Sequence, residues 1–312
     1  MREAIWHRAS ISGSTVPPIW RRLPGPRRGT TAGLDSPAVP LVPILLYHSV
    51  SSAPPSMIAP FAVDRQTFGD HLDLVVERGL TSLTVTGFLD AADRGDRELL
   101  ERCVVITFDD GFADFDDALP ALSTRGLRAT LYVATGLLRG APAAVDAPAL
   151  SAEMLAWSRL RELHAEGVEL GAHSHSHPQL DTLSTSRARD ELSLSRRLLE
   201  DAVGMEVKTF AYPNGYSSPR VRTLVREAGY RAACGVKNTL SSERDDRFAL
   251  ARLMIRSSTS TAEVAGWLDR SGAPPPRARE RARTRAWRTY RRARAVVTRR
   301  AGTAPGWPAS HV

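Results

Sequence analysis

Two cysteines, Cys103 and Cys234, are all that 312 residues contain. Neither has a C-x-x-C partner, so a disulfide framework and a zinc knuckle are both excluded. Both lie in apolar, strand-like runs and read as buried core thiols. No apolar run reaches the roughly 20 residues that a membrane-spanning helix needs. The first forty residues lack the roughly 7–15-residue apolar core of a secretion signal. The expectation is a cytoplasmic protein, or one peripheral to the inner membrane face; a misassigned start would make it extracytoplasmic. Also absent are G-x-S-x-G, G-x-x-x-x-G-K and G-x-G-x-x-G, and with them the serine-hydrolase elbow, the phosphate cradle and the dinucleotide fingerprint. The acidic run from Asp109 to Asp117 fails the EF-hand pattern, because its sixth position is Asp114 rather than glycine.

The charge is uneven. The chain carries +8 overall, but residues 1–40 hold +4 and residues 272–312 hold +10, which leaves −6 for residues 41–271. The division expected is a flexible Pro- and Arg-rich leader (1–40), one catalytic-sized domain (41–271) and an Arg-rich, partly helical tail (272–312). In the tail, Trp287, Tyr290, Val296 and Val297 interrupt the arginines after Pro274-Pro275-Pro276. Such a segment is either a solvated tail or a contact for an anionic membrane surface. No nucleic-acid-binding motif accompanies it, so no specific nucleic acid is expected. Oligomeric state leaves no mark in the sequence.

Periodicity places the middle in one fold class. Strand-like runs occur at Val42–His48, Val104–Asp109, Ala129–Ala134, Val168–His173, Lys208–Tyr212, Tyr230–Val236 and Phe248–Ile255. Leu83–Ala92 reads as a short strand or turn followed by helix. Helical patterns fall at Thr67–Gly79, Ala113–Arg125, Ala152–Glu166, Ser186–Val203 and from Ser218-Pro219 to Gly229. Strands alternating with helices predict an α/β fold of parallel βα units, closed or nearly closed into a barrel. Sites in such folds lie at the C-terminal ends of strands. His48, Asp109, Asp110, His173, His177 and the Pro213–Gly215 turn all map there.

These residues suggest one chemistry. V-V-I-T-F-D-D-G (104–111) runs a buried strand into two adjacent carboxylates. On its own the pair is equally well read as a helix cap. H-S-H-S-H (173–177) then supplies two imidazoles four residues apart, and two imidazoles with one carboxylate form a common catalytic zinc shell. Asp110, His173 and His177 are the expected ligands. His175 is expected to point away, and Ser174 to tie the loop down by hydrogen bonding. Asp109 is placed to be the base for a metal-activated water, and His48 is the candidate acid. The turn Ala211-Tyr212-Pro213-Asn214-Gly215 is either a plain tight turn or a source of backbone N–H groups for an oxyanion.

Together T-F-D-D-G (107–111), H-S-H-S-H (173–177) and F-A-Y-P-N-G (210–215) resemble the motifs of the polysaccharide deacetylase family, the NodB homology domain, over roughly residues 41–260. L-L-Y-H-S-V (45–50) resembles its poly-N-acetylglucosamine deacetylase branch. The resemblance implies a single-domain, distorted (β/α) barrel. It implies a divalent metal, usually zinc, with cobalt, nickel or manganese as substitutes. The implied reaction removes an N-acetyl group, or an O-acetyl group, from a saccharide containing N-acetylhexosamine. It assigns the base to Asp109, the metal to Asp110, His173 and His177, and an oxyanion N–H to Asn214, with Tyr212 and Pro213 beside the substrate. The family's turn carries an arginine that orients the base where this chain has Ala211, and Arg252 is the substitute candidate. The family's late Leu-x-His acid has no match; the resemblance to the poly-N-acetylglucosamine branch, whose motif order is permuted, implies that the Y-H of the first strand serves instead, which is His48 here. Two other readings stand beside this one. The same metal site could serve a formamide or cyclic imide, or the domain could be a weakly catalytic saccharide- or membrane-binding module.

Overall fold

The computed structural model describes residues 39–142 and 152–275, together with 287, 289–292 and 294. Its main sheet has eight parallel strands: β1 (Ile44–Tyr47), β2 (Thr81–Leu83), β3 (Cys103–Phe108), β4 (Thr130–Val133), β5 (Glu169–Ala172), β6 (Thr209–Ala211), β7 (Ala232–Cys234) and β8 (Leu253–Met254). The order is β7-β6-β5-β4-β3-β1-β8, with β2 pairing the first half of β3 and β4 the second. Curling brings the ends together. Gly235 N–H donates to Leu250 O at 2.9 Å and Asn238 N–H to Arg252 O at 3.0 Å, so the segment entering β8 lies against the end of β7. The result is the α/β fold expected, a curled and nearly closed barrel.

Helices follow the strands in the βα manner: α1 (Arg65–Glu77), α2 (Val85–Asp93), with the short α3 (Arg97–Glu101) directly after it, α4 (Phe115–Ser123), α5 (Arg159–Ala165), α6 (Thr185–Val203) and α7 (Pro219–Glu227). The last, α8 (Thr261–Leu268), closes the domain. Side-chain alternation along each strand separates two cores. Val104, Ile106 and Phe108 face outward with Tyr47, Leu131 and Phe210 into the layer beneath the helices. Val105, Tyr132, Ala211 and Cys234 join a second cluster that includes Val85, Phe88 and Leu89 of α2 and Leu100 of α3. Those two helices therefore pack on the strand interior. Glu169, at the N-terminal end of β5, accepts from Thr86 N–H and the hydroxyls of Thr86, Thr130 and Thr209 at 2.8–3.2 Å. Polar groups at that end are thus satisfied, and the opposite end is left for chemistry.

Two elements depart from the sequence pattern. The helix expected from Ala152 begins only at Arg159. The backbone before it is already committed: Glu153 O accepts from Ala113 N–H, Leu155 N–H donates to Gly111 O, and Leu155 O accepts from Arg139 N–H. The strand expected over Phe248–Ile255 shrinks to Leu253–Met254, because the Asp246 carboxylate accepts from Phe248 N–H and caps a 3-10 turn at Arg247–Ala249. Residues 1–38 of the leader lie outside the described residues, as do Val296 and Val297 of the tail. Among the described residues, no helix is long and apolar enough to cross a membrane.

Candidate active site

Val105, Thr107 and Asp109 share the inward face of β3 and its extension. Beneath Asp109 lies Arg252, fully buried and inward-facing just before β8. Its guanidinium grips Asp109 with two 2.7 Å hydrogen bonds, one to each carboxylate oxygen. Two further donors are occupied, Nε by Gly235 O at 3.1 Å and Nη1 also by the Thr107 hydroxyl at 3.2 Å. The Tyr132 ring lies 5.5 Å from the guanidinium carbon. An adjacent glycine makes room for that ring: a Cβ on Gly171 would stand 2.4 Å from it. Burial alone would raise the Asp109 pKa. The Arg252 charge, helped by His173 and His48, outweighs burial and holds the carboxyl below its ordinary range. Asp109 is therefore an ionised carboxylate fixed in orientation by a bidentate partner.

Asp110 turns the other way. Its φ is +73°, and Gly111 follows at +89°. This strained pair swings the second carboxylate off the strand axis towards β5. A side chain at Gly111 would meet Val133 at 3.0 Å and Leu138 at 3.1 Å, so the D-D-G sequence is a steric requirement as well as a chemical one. Asp110 Oδ1 lies 3.4 Å from His173 Nε2 and 3.2 Å from His177 Nε2. The candidate donor atoms of these three residues all fall within 4.8 Å of one another, and all three residues are buried.

His173 Nδ1 is 2.8 Å from Ala211 O. A carbonyl only accepts, so Nδ1 carries the proton, and a neutral His173 turns the lone pair of Nε2 towards Asp110. Burial lowers the pKa of His177 and favours its neutral form. Two imidazole nitrogens facing a buried carboxylate are satisfied by a proton on one of them or by a cation between them. His173 shows the same demand: burial would lower its pKa, but Asp109 and Asp110 raise it above the ordinary imidazole value. The donor set of two imidazoles and one carboxylate fits a divalent metal such as zinc.

The loop between the histidines is held by backbone hydrogen bonds to several neighbours. His177 N–H donates to the Ser174 hydroxyl at 3.1 Å, the role expected of that serine. Ser174 O and His175 O accept from Thr135 and Gly136 N–H at 3.2 and 2.8 Å. His175 turns aside, with Nδ1 2.9 Å from the Thr135 hydroxyl. His175 N–H and Ser176 N–H both donate to one oxygen of Glu191 at 2.8 Å, and the Ser176 hydroxyl donates to the other. Glu191 carries no sequence signal, since it looks like one more charged residue on a long amphipathic helix.

The 211–215 turn corrects one expectation. Tyr212 does not face a substrate. Its ring is buried, its hydroxyl donates to Phe248 O at 2.8 Å, and its N–H is taken by Cys234 O at 3.0 Å. Pro213 is buried and has no N–H to offer. Gly215 N–H closes the turn on Tyr212 O at 2.8 Å. That leaves Asn214, at φ +59°, as the turn's candidate donor. His48 extends from β1 beside Phe61, with ring centroids 5.3 Å apart, and its Nδ1 is buried without a hydrogen-bond partner. Burial lowers its pKa, against the pull of Asp110 and Asp109.

Part of the tail lies beside this site. Arg291 is buried and pairs with buried Asp181 at 2.8 and 2.9 Å, four residues beyond His177. Its guanidinium lies 3.6 Å from the centroid of the Tyr216 ring, two residues beyond Asn214. Arg292 Nε donates to Asp181 O at 2.9 Å, and Trp287 Nε1 to the Tyr216 hydroxyl at 3.3 Å. These contacts use arginine and tryptophan of the tail to bind the protein's own loops.

The sequence profile of the polysaccharide deacetylase family matches residues 96–233, which include both aspartates, both triad histidines and the turn. Over that span the chain is similar to the polysaccharide deacetylase family. YxkH of Bacillus subtilis (strain 168), whose name places it in the same family, is 22% identical over 241 residues, 77% of this chain and 80% of that protein. Among solved structures, the Streptococcus pyogenes deacetylase PplD, determined with acetate, superposes with a TM-score of 0.64 at 23% identity, covering 73% of this chain and 97% of PplD. A de-N-acetylase from Aggregatibacter actinomycetemcomitans gives 0.62 at 17% identity, covering 72% of this chain and 99% of the other. At these identities the structural likeness is one of fold. The family's activity is deacetylation of carbohydrate.

Proposed function

We propose that this protein hydrolyses the N-acetyl groups of a saccharide containing N-acetylhexosamine, with a divalent metal, zinc favoured, held by Asp110, His173 and His177. The observation that carries the reading is the bidentate Arg252–Asp109 pair beside that triad. It supplies an oriented, ionised carboxylate, and it argues against a weakly catalytic binding module, whose base would have no such fixture.

A divalent metal at the triad would polarise the acetyl carbonyl and acidify a water molecule. The protein's own groups do the rest. Asp109 would accept a proton from the attacking water, and Arg252 keeps the carboxylate aimed and prevents it from protonating at neutral pH. The N–H of Asn214 donates to the oxygen on which charge develops. His48 returns a proton to the leaving amine. Because burial lowers the His48 pKa, the alkaline limb of the rate profile falls below that of an ordinary imidazole. The acid limb falls below the ordinary carboxylate range, since Asp109 is depressed. The L-L-Y-H-S-V strand supports N-acetylglucosamine as the sugar.

The test is acetate release from β-1,4- and β-1,6-linked N-acetylglucosamine oligosaccharides, with and without a chelator. Release abolished by chelation and restored by zinc is expected. Release indifferent to chelation, or confined to formamides and cyclic imides, would overturn the reading.

A further inference from the structure

The two ligand histidines are joined by three residues, and that link is strained at both ends. Ser174 has φ +67° and His177 φ +57°, in the left-handed region that serine and histidine rarely adopt. Such a residue persists only where its surroundings impose the conformation. Here the strain is functional. It folds the chain back within four residues, so that His173 and His177 present Nε2 to the same oxygen of Asp110, with ring centroids 4.8 Å apart.

What imposes the conformation is an anion. Beyond left-handed Ser174, the N–H groups of His175 and Ser176 converge on a single carboxylate oxygen of Glu191, both at 2.8 Å. Consecutive backbone N–H groups beside a left-handed residue form a concave nest for an anion. The second carboxylate oxygen takes the Ser176 hydroxyl. Glu191 sits within the nineteen-residue helix α6, an element independent of β5, and so anchors the loop to a rigid neighbour. Thr135 and Gly136 hold the loop's carbonyls from the other side. Charge-assisted bonds of this kind are about twice as strong as neutral ones.

We propose that Glu191 is a positioning residue for the metal: its carboxylate fills the nest between the two histidine ligands and holds His177 where it can share a cation with Asp110 and His173. Glu191 touches neither metal nor substrate. The inference rests on the reading that this triad holds a metal, and it is independent of which saccharide is used.

The experiment measures zinc affinity of the full chain by competition with a chromogenic chelator, in the wild type, Glu191→Gln and Glu191→Ala, alongside the thermal midpoint of each metal-free protein. Loss of a partner that orients metal ligands weakens affinity about 10–100-fold, and that loss is expected for Glu191→Ala, with a smaller loss for the isosteric Gln. The visible spectrum of the cobalt-loaded variants should change in intensity, which a purely structural role would not produce. Should the alanine variant fail to fold, the glutamine variant carries the test. Zinc affinities within twofold of wild type, with unchanged cobalt spectra, would overturn the proposal whatever the thermal midpoints show. A wild type that takes up no zinc or cobalt would overturn the metal reading itself; zinc uptake without acetate release would leave Glu191's role standing and overturn only the saccharide reading.

Discussion

Replacing Arg252 with glutamine removes one partner of a fully buried ion pair and leaves the other in place. Asp109 is 3% exposed and Arg252 0%, so water cannot substitute for the guanidinium. Breaking such a pair costs about 3–5 kcal/mol, because an uncompensated charge remains in a low-dielectric interior. The protein escapes part of that cost by protonating Asp109. One pH unit corresponds to about 1.4 kcal/mol, so a penalty of that size is enough to move the carboxyl up by about two pH units or more. In the wild type the depressed carboxyl contributes stability above its unfolded pKa and loses it as pH falls through the folded one. In the variant the sign reverses: Asp109 destabilises at neutral pH, and stability recovers as the pH is lowered and the carboxyl takes up a proton. The assay is kcat/KM for acetate release against pH, paired with thermal midpoints at two pH values. The acid limb should move upward by about two units, and the midpoint deficit should shrink at mildly acid pH. An acid limb and midpoint both unchanged in Arg252→Gln would refute the assignment of Asp109 as a base held ionised by Arg252.

Other consequences follow from the same contacts. Asp181→Asn removes the buried partner of Arg291; a cost of about 3 kcal/mol makes release of that segment roughly 100-fold more frequent. It would be read as faster tryptic cleavage near Arg291, and an unchanged cleavage rate would contradict the docking. Gly111→Ala forces a side chain onto φ +89° and into Val133 and Leu138; about 2–3 kcal/mol, or roughly 4–12 °C in Tm, should be lost. Weaker zinc binding should accompany it, because Asp110 turns on this glycine. A midpoint within one degree of wild type would show that the turn tolerates a Cβ.

What could be read from the sequence was whatever a strand end advertises locally. An apolar run followed by a histidine or carboxylates places His48, Asp109, Asp110 and His173 on one end of the barrel, because parallel strands all deliver their C-termini to the same side. Arg252 is harder. Its partner lies 143 residues away, and only the inward face just before β8 decides that it reaches Asp109 rather than solvent. Glu191 and Asp181 look like ordinary surface charge in a sequence, since nothing local announces a nest of N–H groups or a returning arginine. Tyr212 misleads in the opposite direction: it sits inside a motif, yet the alternation of β6 sends its ring into the core. The late start of α5 escapes periodicity because Met154 and Ala156 bridge to Phe112 and Arg139, contacts set by tertiary packing. Helix α8 did leave a signal, the S-x-x-E capping box at Ser260 and Glu263.

The central claim is that adjacent aspartates hold separate tasks, Asp110 on the metal and Asp109 on the water. Asp109→Asn tests it most directly, with zinc content and acetate release measured on the same preparation. Zinc near one per chain and turnover reduced by at least about a thousandfold are expected. Zinc lost together with activity, or activity retained, would contradict it.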